Sequence, residues 1–258
     1  MRIFENGEQK IVLPQVDFVI IIPSYNETLA LPSLLRELAK HLTAAQCVIV
    51  MDDSRESISD SICLECTAIM NQAECNFIFV SSEKKSGRGA AIRRGMKMAL
   101  ELYPSAKYTI ECDADGSHRV EDILKLMRSE NTADLLIGSR YLDGSQILGW
   151  PASRRVFSLC LNIIIPKIFH VPVHDITNGL RRYTVEASRR ILENPQINSG
   201  FIYLSEQAII VKRSGLSISE IPITFIDRTL GKSTVTWREI YKSVIGIVQL
   251  LSIKSSMK

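Results

Sequence analysis

The sequence has no uninterrupted run of about 18 apolar residues, the least that a bilayer-crossing helix requires, so no segment is expected to span a membrane. Its six cysteines (47, 63, 66, 75, 112 and 160) lack the paired clustering of a disulfide scaffold or a four-ligand zinc site, and no signal peptide precedes them. A reducing, cytoplasmic setting is the expectation. Cys63-Leu-Glu-Cys66 has the spacing of a redox motif, but it falls in a helical pattern and reads as ordinary packing. Of the four histidines, His170 and His174 stand four apart with Pro172 between them, which argues against one regular helix presenting both to a metal. Internal repeats and low-complexity tracts are also missing. No charge of one sign dominates: the formal net charge is +3, too small to mark a nucleic-acid binder.

What is present is a chain of 258 residues, 46% hydrophobic and 23% charged, enough for one large domain with a sizeable core. The small net charge hides an asymmetry. Residues 1–129 carry 15 basic and 18 acidic side chains, a net of −3, whereas residues 130–258 carry 16 and 10, a net of +6. The second half is therefore a candidate for binding anions.

Short apolar runs at Phe18–Ile22, Cys47–Met51, Asn76–Val80, Tyr108–Cys112 and Ala133–Ile137 have the near-continuous hydrophobicity of strands covered on both faces. Between them, residues 29–42, 57–72, 88–102 and 120–129 carry apolar side chains at helical spacing. This alternation predicts an α/β fold with a Rossmann-like, mostly parallel sheet flanked by helices. Later come a long apolar helix from Arg154 to Phe169, a strand pair near 217–227 and a final helix from about Trp237 to Ile253.

Ligands of such sheets bind beyond the carboxyl ends of the strands. Pro23-Ser-Tyr-Asn-Glu27, Asp52-Asp53, Asp113-Ala114-Asp115 and Gly138-Ser-Arg140 stand there. Asp113 and Asp115, two apart on an extended backbone, point to the same side and repel unless a cation lies between them. Such hard oxygen donors suit Mg²⁺ or Mn²⁺; the alternative is helix capping by Asp115-Gly-Ser117. Gly87-Arg-Gly-Ala-Ala91 is half a dinucleotide fingerprint whose next glycine is Gly95, so it fits close helix packing as well as backbone N–H groups near a ligand. Arg140, Arg154-Arg155, Arg181-Arg182 and Arg228 are the candidate anion binders, and arginines at a helix start oppose its dipole and call for a compensating anion. The 156–169 stretch is apolar enough either to lie in a membrane interface or to be an ordinary buried helix.

Taken in order, Ile22-Pro-Ser-Tyr-Asn-Glu27, Asp52-Asp53, Gly87–Ala91, Asp113–His118, Gly138-Ser-Arg-Tyr141, Trp150-Pro-Ala-Ser-Arg154 and Phe225-Ile-Asp-Arg228 resemble the family 2 glycosyltransferases of the GT-A fold. Within that family the sequence is most similar to dolichol- or polyprenol-phosphate mannose synthases, over about residues 17–253. The resemblance implies one GT-A domain over 1–258, with a nucleotide- and metal-binding half (about 17–145), an acceptor-facing half (about 146–253) and antiparallel additions in the second half. By the same resemblance Pro23, Tyr25, Glu27, Asp52 and Ala114 hold the nucleotide sugar, and Asp113 and Asp115 hold its diphosphate through Mg²⁺ or Mn²⁺. Arg140, Arg154, Ser158 and Arg228 bind the donor diphosphate and the acceptor phosphate. The implied activity is inverting transfer of a hexose, mannose from GDP-mannose, to a polyprenyl phosphate. A chain without a membrane-spanning tail would perform it peripherally on the cytoplasmic membrane face or with a membrane partner. The sequence departs from the family where Ser54-Arg-Glu-Ser57 follows the first acidic pair, where Ser117 stands in place of a Gln, and in the order of Gly231-Lys-Ser-Thr234. Two rival readings are a soluble family 2 enzyme that extends a saccharide with Asp175 or Glu206 as base, and a noncatalytic sugar-nucleotide-binding subunit.

Overall fold

A computed structural model describes residues 2–5, 8–11, 15–82, 84–198, 200, 202–227, 245–246 and 248–250. Strands β1 (Arg2–Glu5) and β2 (Glu8–Ile11) pair antiparallel as a separate hairpin. The expected first-half rhythm follows as β3 (Phe18–Ser24), α1 (Ala30–Ala39), β4 (Gln46–Asp52), α2 (Glu56–Met70), β5 (Asn76–Ser81), α3 (Arg88–Leu102), β6 (Tyr108–Glu111), α4 (Val120–Arg128) and β7 (Leu135–Ser139). Then come β8 (Gln146–Leu148), α5 (Ala152–Phe169), β9 (Arg181–Thr184), α6 (Val185–Glu193), α7 (Tyr203–Arg213), β10 (Ile218–Pro222) and β11 (Thr224–Ile226).

Seven strands form one sheet in the order β10-β7-β9-β6-β3-β4-β5. All pairs are parallel except those of β9, which runs antiparallel between β6 and β7. Period-two alternation along the strands divides the core between the two faces. Ile20, Ile22, Val48 and Val50 pack with Leu31, Leu35, Ile62 and Ile123 from α1, α2 and α4. Val19, Ile21, Ile49 and Met51 pack with Ile92, Met96, Ile191 and Ile209 from α3, α6 and α7. Every residue of β4 is buried, as covering on both faces demands.

Three sequence expectations need correction. The fifth run lies two residues later than expected, at Leu135–Ser139: the N–H groups of Ala133 and Asp134 donate to the Asn131 and Ser217 side chains, and at its other end Gly138 lets Ile223 and Leu180 approach within 3.3 Å of where a Cβ would stand. The strands near 217–227 do not pair with each other. β10 joins β7, and β11 joins β8 in a separate two-stranded sheet, with Ile223 between them bonded to Ser139. Arg181 and Arg182 are not anion binders but part of β9, fully buried between central strands. Their guanidiniums donate to backbone carbonyls: Arg181 to Asn178, Leu204 and Ile176, and Arg182 to Leu126, Ser129 and Asn131. Arg228, the 231–234 loop and most of the expected final helix lie outside the described residues.

Candidate active site

The carboxyl ends of β3, β4, β6 and β7 open on a cavity of about 400 Å³, and α5 forms its far wall. The chain leaves β3 into Pro23, Tyr25 and Glu27, all on the cavity wall, with the Lys85 ammonium 3.4 Å from the centre of the Tyr25 ring. Of the first acidic pair, Asp53 lines the cavity and Asp52 does not. Asp52 is fully buried and accepts the hydroxyl and N–H of Ser54, whereas Asp53 accepts from Ser86 and pairs with Arg94 at 2.6 Å.

Beyond β6, Asp113, Ala114 and Asp115 form the middle of the wall. The cation that two neighbouring carboxylates require is supplied in part by the protein itself. Arg88 approaches Asp113 at 2.6 Å and the fully buried Glu111 at 2.8 Å. It also donates to Tyr203, which donates in turn to Glu111, and Tyr183 donates to Glu111 as well. Burial works against the charge on Arg88, but Asp113, Tyr203 and Glu111 overcome it and raise its pKa. The same burial pushes the Tyr203 hydroxyl well above its ordinary range.

Two glycines make this placement possible. Gly87 has φ +89° at the start of α3, a conformation that costs glycine little and places Arg88 in the first turn. A Cβ on Gly179 would collide with the Arg88 guanidinium at 2.3 Å. Sequence reading missed Arg88 as a site residue, although the Gly87–Ala91 motif that holds it was its signal.

Next to the pair, the Asp113 N–H donates to Nδ1 of His118, so the ring proton is on Nε2 and faces the side-chain amide oxygen Oδ1 of Asn178 at 3.0 Å. Asp115 accepts the N–H of Ser117, a local turn compatible with the capping alternative, but the Ser117 hydroxyl is buried on the cavity wall without a hydrogen-bond partner among the described residues. Among the described residues no group of three or more His, Cys, Asp or Glu forms a metal cage. The donors present, two carboxylates and an unpartnered hydroxyl, fit an open site for a hard divalent cation that keeps positions for water and phosphate oxygens.

Arg140, Arg154 and Ser158, expected on the acceptor side, also meet on the wall. Arg140 forms a bidentate pair with Asp175, both bonds 2.7 Å, and Asp175 accepts the Arg140 N–H as well. Burial alone would push the Asp175 carboxyl up, but Arg140 holds it below the ordinary range. Arg154, in the first turn of α5, finds its compensating anion in Asp227 at 2.7 Å. Ser158 follows one turn later, buried against Asn162. Arg140 and Arg154 both pack on Trp150.

Neither carboxylate expected as a base opens on the cavity. Asp175 is held by Arg140, and Glu206 is buried under the N–H groups of Ile197 and Asn198 and the Asn198 amide. His170 caps α5 while His174 pairs with Glu220, so the two histidines form no common site. Cysteines 47, 63, 66, 75, 112 and 160 are all unpaired, and burial pushes the Cys47 and Cys66 thiols up to about 12, out of the reactive range.

The glycosyl transferase family 2 model matches residues 19–192. The undecaprenyl-phosphate mannosyltransferase of Micrococcus luteus is 30% identical over 230 residues, 89% of this chain and 91% of the relative. The polyprenol monophosphomannose synthase of Mycolicibacterium smegmatis is 30% identical over 239 residues, 92% of this chain and 88% of the relative. Among solved structures, glucosyl-3-phosphoglycerate synthase of Mycobacterium tuberculosis, in complex with Mn²⁺, UDP and glucosyl-3-phosphoglycerate, superposes with a TM-score of 0.64 at 14% identity. That alignment covers 94% of this chain and 81% of the synthase, and it shows a shared GT-A fold.

Proposed function

Because the chain belongs to glycosyl transferase family 2 and is a glycosyltransferase, we propose that it moves mannose from GDP-mannose to a polyprenyl phosphate, with inversion, at a membrane surface. The observation that carries this reading is the make-up of α5. Its inner face gives Arg154 and Ser158 to the cavity, while Val156, Leu159, Ile163, Ile164 and Ile168 form an exposed apolar stripe at helical spacing. Among the described residues no helix is long and apolar enough to cross a membrane, so this stripe suits lying in an interface.

The chemistry agrees with a phosphate acceptor. A phosphate monoester has a second pKa near 6 and is largely a dianionic nucleophile at pH 7. It needs no general base, in keeping with the burial of Asp175 and Glu206. Attack in line with the departing diphosphate inverts the anomeric carbon, so an α-linked donor gives a β-linked product. Asp113 and Asp115 would hold Mg²⁺ or Mn²⁺, which supplies charge neutralisation for the leaving diphosphate. Arg88 keeps Asp113 in place, and Tyr25, Glu27, Asp53 and Lys85 form the wall for the nucleotide. Arg140 and Arg154 bring a negative acceptor beside a negative donor, a role in which Arg228 is expected to join them.

Transfer is measured with GDP-mannose, Mn²⁺ and, in turn, a polyprenyl phosphate, the unphosphorylated polyprenol and water-soluble saccharides. Product is expected with the polyprenyl phosphate alone. Transfer to a soluble saccharide without lipid would overturn the acceptor, and donor binding with no turnover on any acceptor would favour a regulatory subunit. Asp115→Ala should abolish transfer and leave the melting temperature near that of the parent; near-normal metal-dependent turnover would sink the assigned role of the acidic pair.

A further inference from the structure

Trp150 lies in the turn before α5, on the cavity wall, with 8% of its surface exposed. Two guanidiniums pack on its ring, with the central carbon of Arg154 4.2 Å and that of Arg140 4.9 Å from the centroid. Phe225 meets it edge-to-face at 5.3 Å, and Phe225 meets His118 edge-to-face at 5.6 Å. His118 takes the N–H of Asp113. A contiguous set of rings therefore connects the acidic pair to the two arginines.

Packing against arginines and Phe225 needs only an aromatic face. The indole adds a donor, and that donor, Nε1, is buried without a hydrogen-bond partner among the described residues. A buried unpaired donor destabilises the protein unless something completes it. The arginines beside it each pair with a carboxylate, Arg140 with Asp175 and Arg154 with Asp227. Two charged forks packed on the ring and one neutral N–H on the same side chain are the donor types that the terminal oxygens of a phosphate monoester accept.

We infer that Trp150 is an acceptor-binding residue: its ring seats Arg140 and Arg154 on one platform, and its Nε1–H donates to an oxygen of the phosphate monoester they hold. This inference rests on the proposed acceptor chemistry. It makes the tryptophan selective for a phosphorylated prenyl chain over the free alcohol.

Calorimetric titration with geranyl phosphate and with geraniol tests this on the parent protein, Trp150→Phe and Trp150→Leu. Trp150→Phe keeps the platform and removes the N–H, and should weaken geranyl phosphate binding by about tenfold, as expected for one hydrogen bond to a charged group. Trp150→Leu also removes the platform and should weaken it by about a hundredfold. GDP-mannose affinity and the melting temperature of Trp150→Phe should match the parent, and in turnover the loss should appear in KM for the polyprenyl phosphate. Unchanged geranyl phosphate affinity in Trp150→Phe would overturn the donor role. An equal loss for geraniol or for GDP-mannose would overturn it too, by showing a merely structural part. If the parent binds geranyl phosphate but transfers nothing to a polyprenyl phosphate, the acceptor reading fails while the calorimetric comparison still decides the role of Trp150.

Discussion

Arginine shows most clearly where residue type stops being informative. Arg88, Arg140, Arg154, Arg181 and Arg182 are alike in sequence, and their roles are decided by what their guanidiniums reach. Arg181 and Arg182 meet backbone carbonyls from the loops around β9, the start of α7 and the end of α4, and become part of the core. Arg88, Arg140 and Arg154, on the cavity wall, meet the carboxylates of Asp113, Asp175 and Asp227. No local pattern separates the two outcomes, because most of the partners, from Leu204 and Leu126 to Asp113, Asp175 and Asp227, come from distant segments. The same holds for Asp175, whose position beside His174 is compatible with a catalytic base until Arg140 is seen to grip it. Removing one partner of such a buried pair costs about 3–5 kcal/mol. Asp175→Asn is therefore expected to lower the denaturation midpoint substantially, and lost stability, with activity following it, would separate this role from that of a base. The pH dependence has a definite sign. The Asp175 pKa is depressed in the folded protein, so its contribution is fully present above the unfolded value of about 3.9 and is lost as pH falls through the folded value. Denaturant midpoints measured from pH 7 down to pH 3 should fall for the parent protein more steeply than for Asp175→Asn.

Elements were legible in proportion to how much of their pattern is local. The parallel strands β3 to β6 and helices α1 to α4 carry their own periodicity, and the structure places their ends within three residues of the sequence reading. β9 was invisible, since Arg181-Arg182-Tyr183-Thr184 alternates in no hydrophobic rhythm and becomes a strand only by completing the ladder between β6 and β7. α5 was legible as an apolar helix, but sequence could not say which face is covered. Its buried side holds polar Ser158 and Asn162 beside Ile165, Pro166 and Phe169, and its exposed side holds Val156, Ile163 and Ile164, so apolar residues lie on both faces. Ile163→Glu with Ile164→Glu removes apolar surface from the stripe without touching Arg154 or Ser158. Co-sedimentation with vesicles of anionic phospholipid should fall several-fold in this variant, while transfer to detergent-dispersed geranyl phosphate should stay near the parent rate. Undiminished vesicle binding would exclude α5 as the contact.

At the scale of the whole molecule, the charge asymmetry of the sequence acquires a spatial meaning. The acidic first half brings Asp53, Asp113 and Asp115 to the strand ends, and the basic second half places Arg140 and Arg154 across the same cavity. In the proposed reaction two phosphate-bearing substrates would meet there and need both signs: cations to hold each anion, and carboxylates to recruit a metal. The acidic pair and the arginines should then act as one binding unit for the donor only when metal is present. A ligand at 100 times its Kd stabilises the folded state by about 2.7 kcal/mol, and each kcal/mol raises the melting temperature of a chain this size by roughly 2–4 °C. GDP-mannose with Mn²⁺ should therefore raise the melting temperature by roughly 5–11 °C, and excess chelator should remove most of the rise. Asp115→Ala should show little rise even with Mn²⁺ present, since one of the two carboxylates is gone. A full shift in the presence of chelator would mean that the nucleotide is held without the metal, and a shift with UDP-sugars but not GDP-mannose would replace the guanine donor by a uridine one while leaving the two-signed cavity as the binding site.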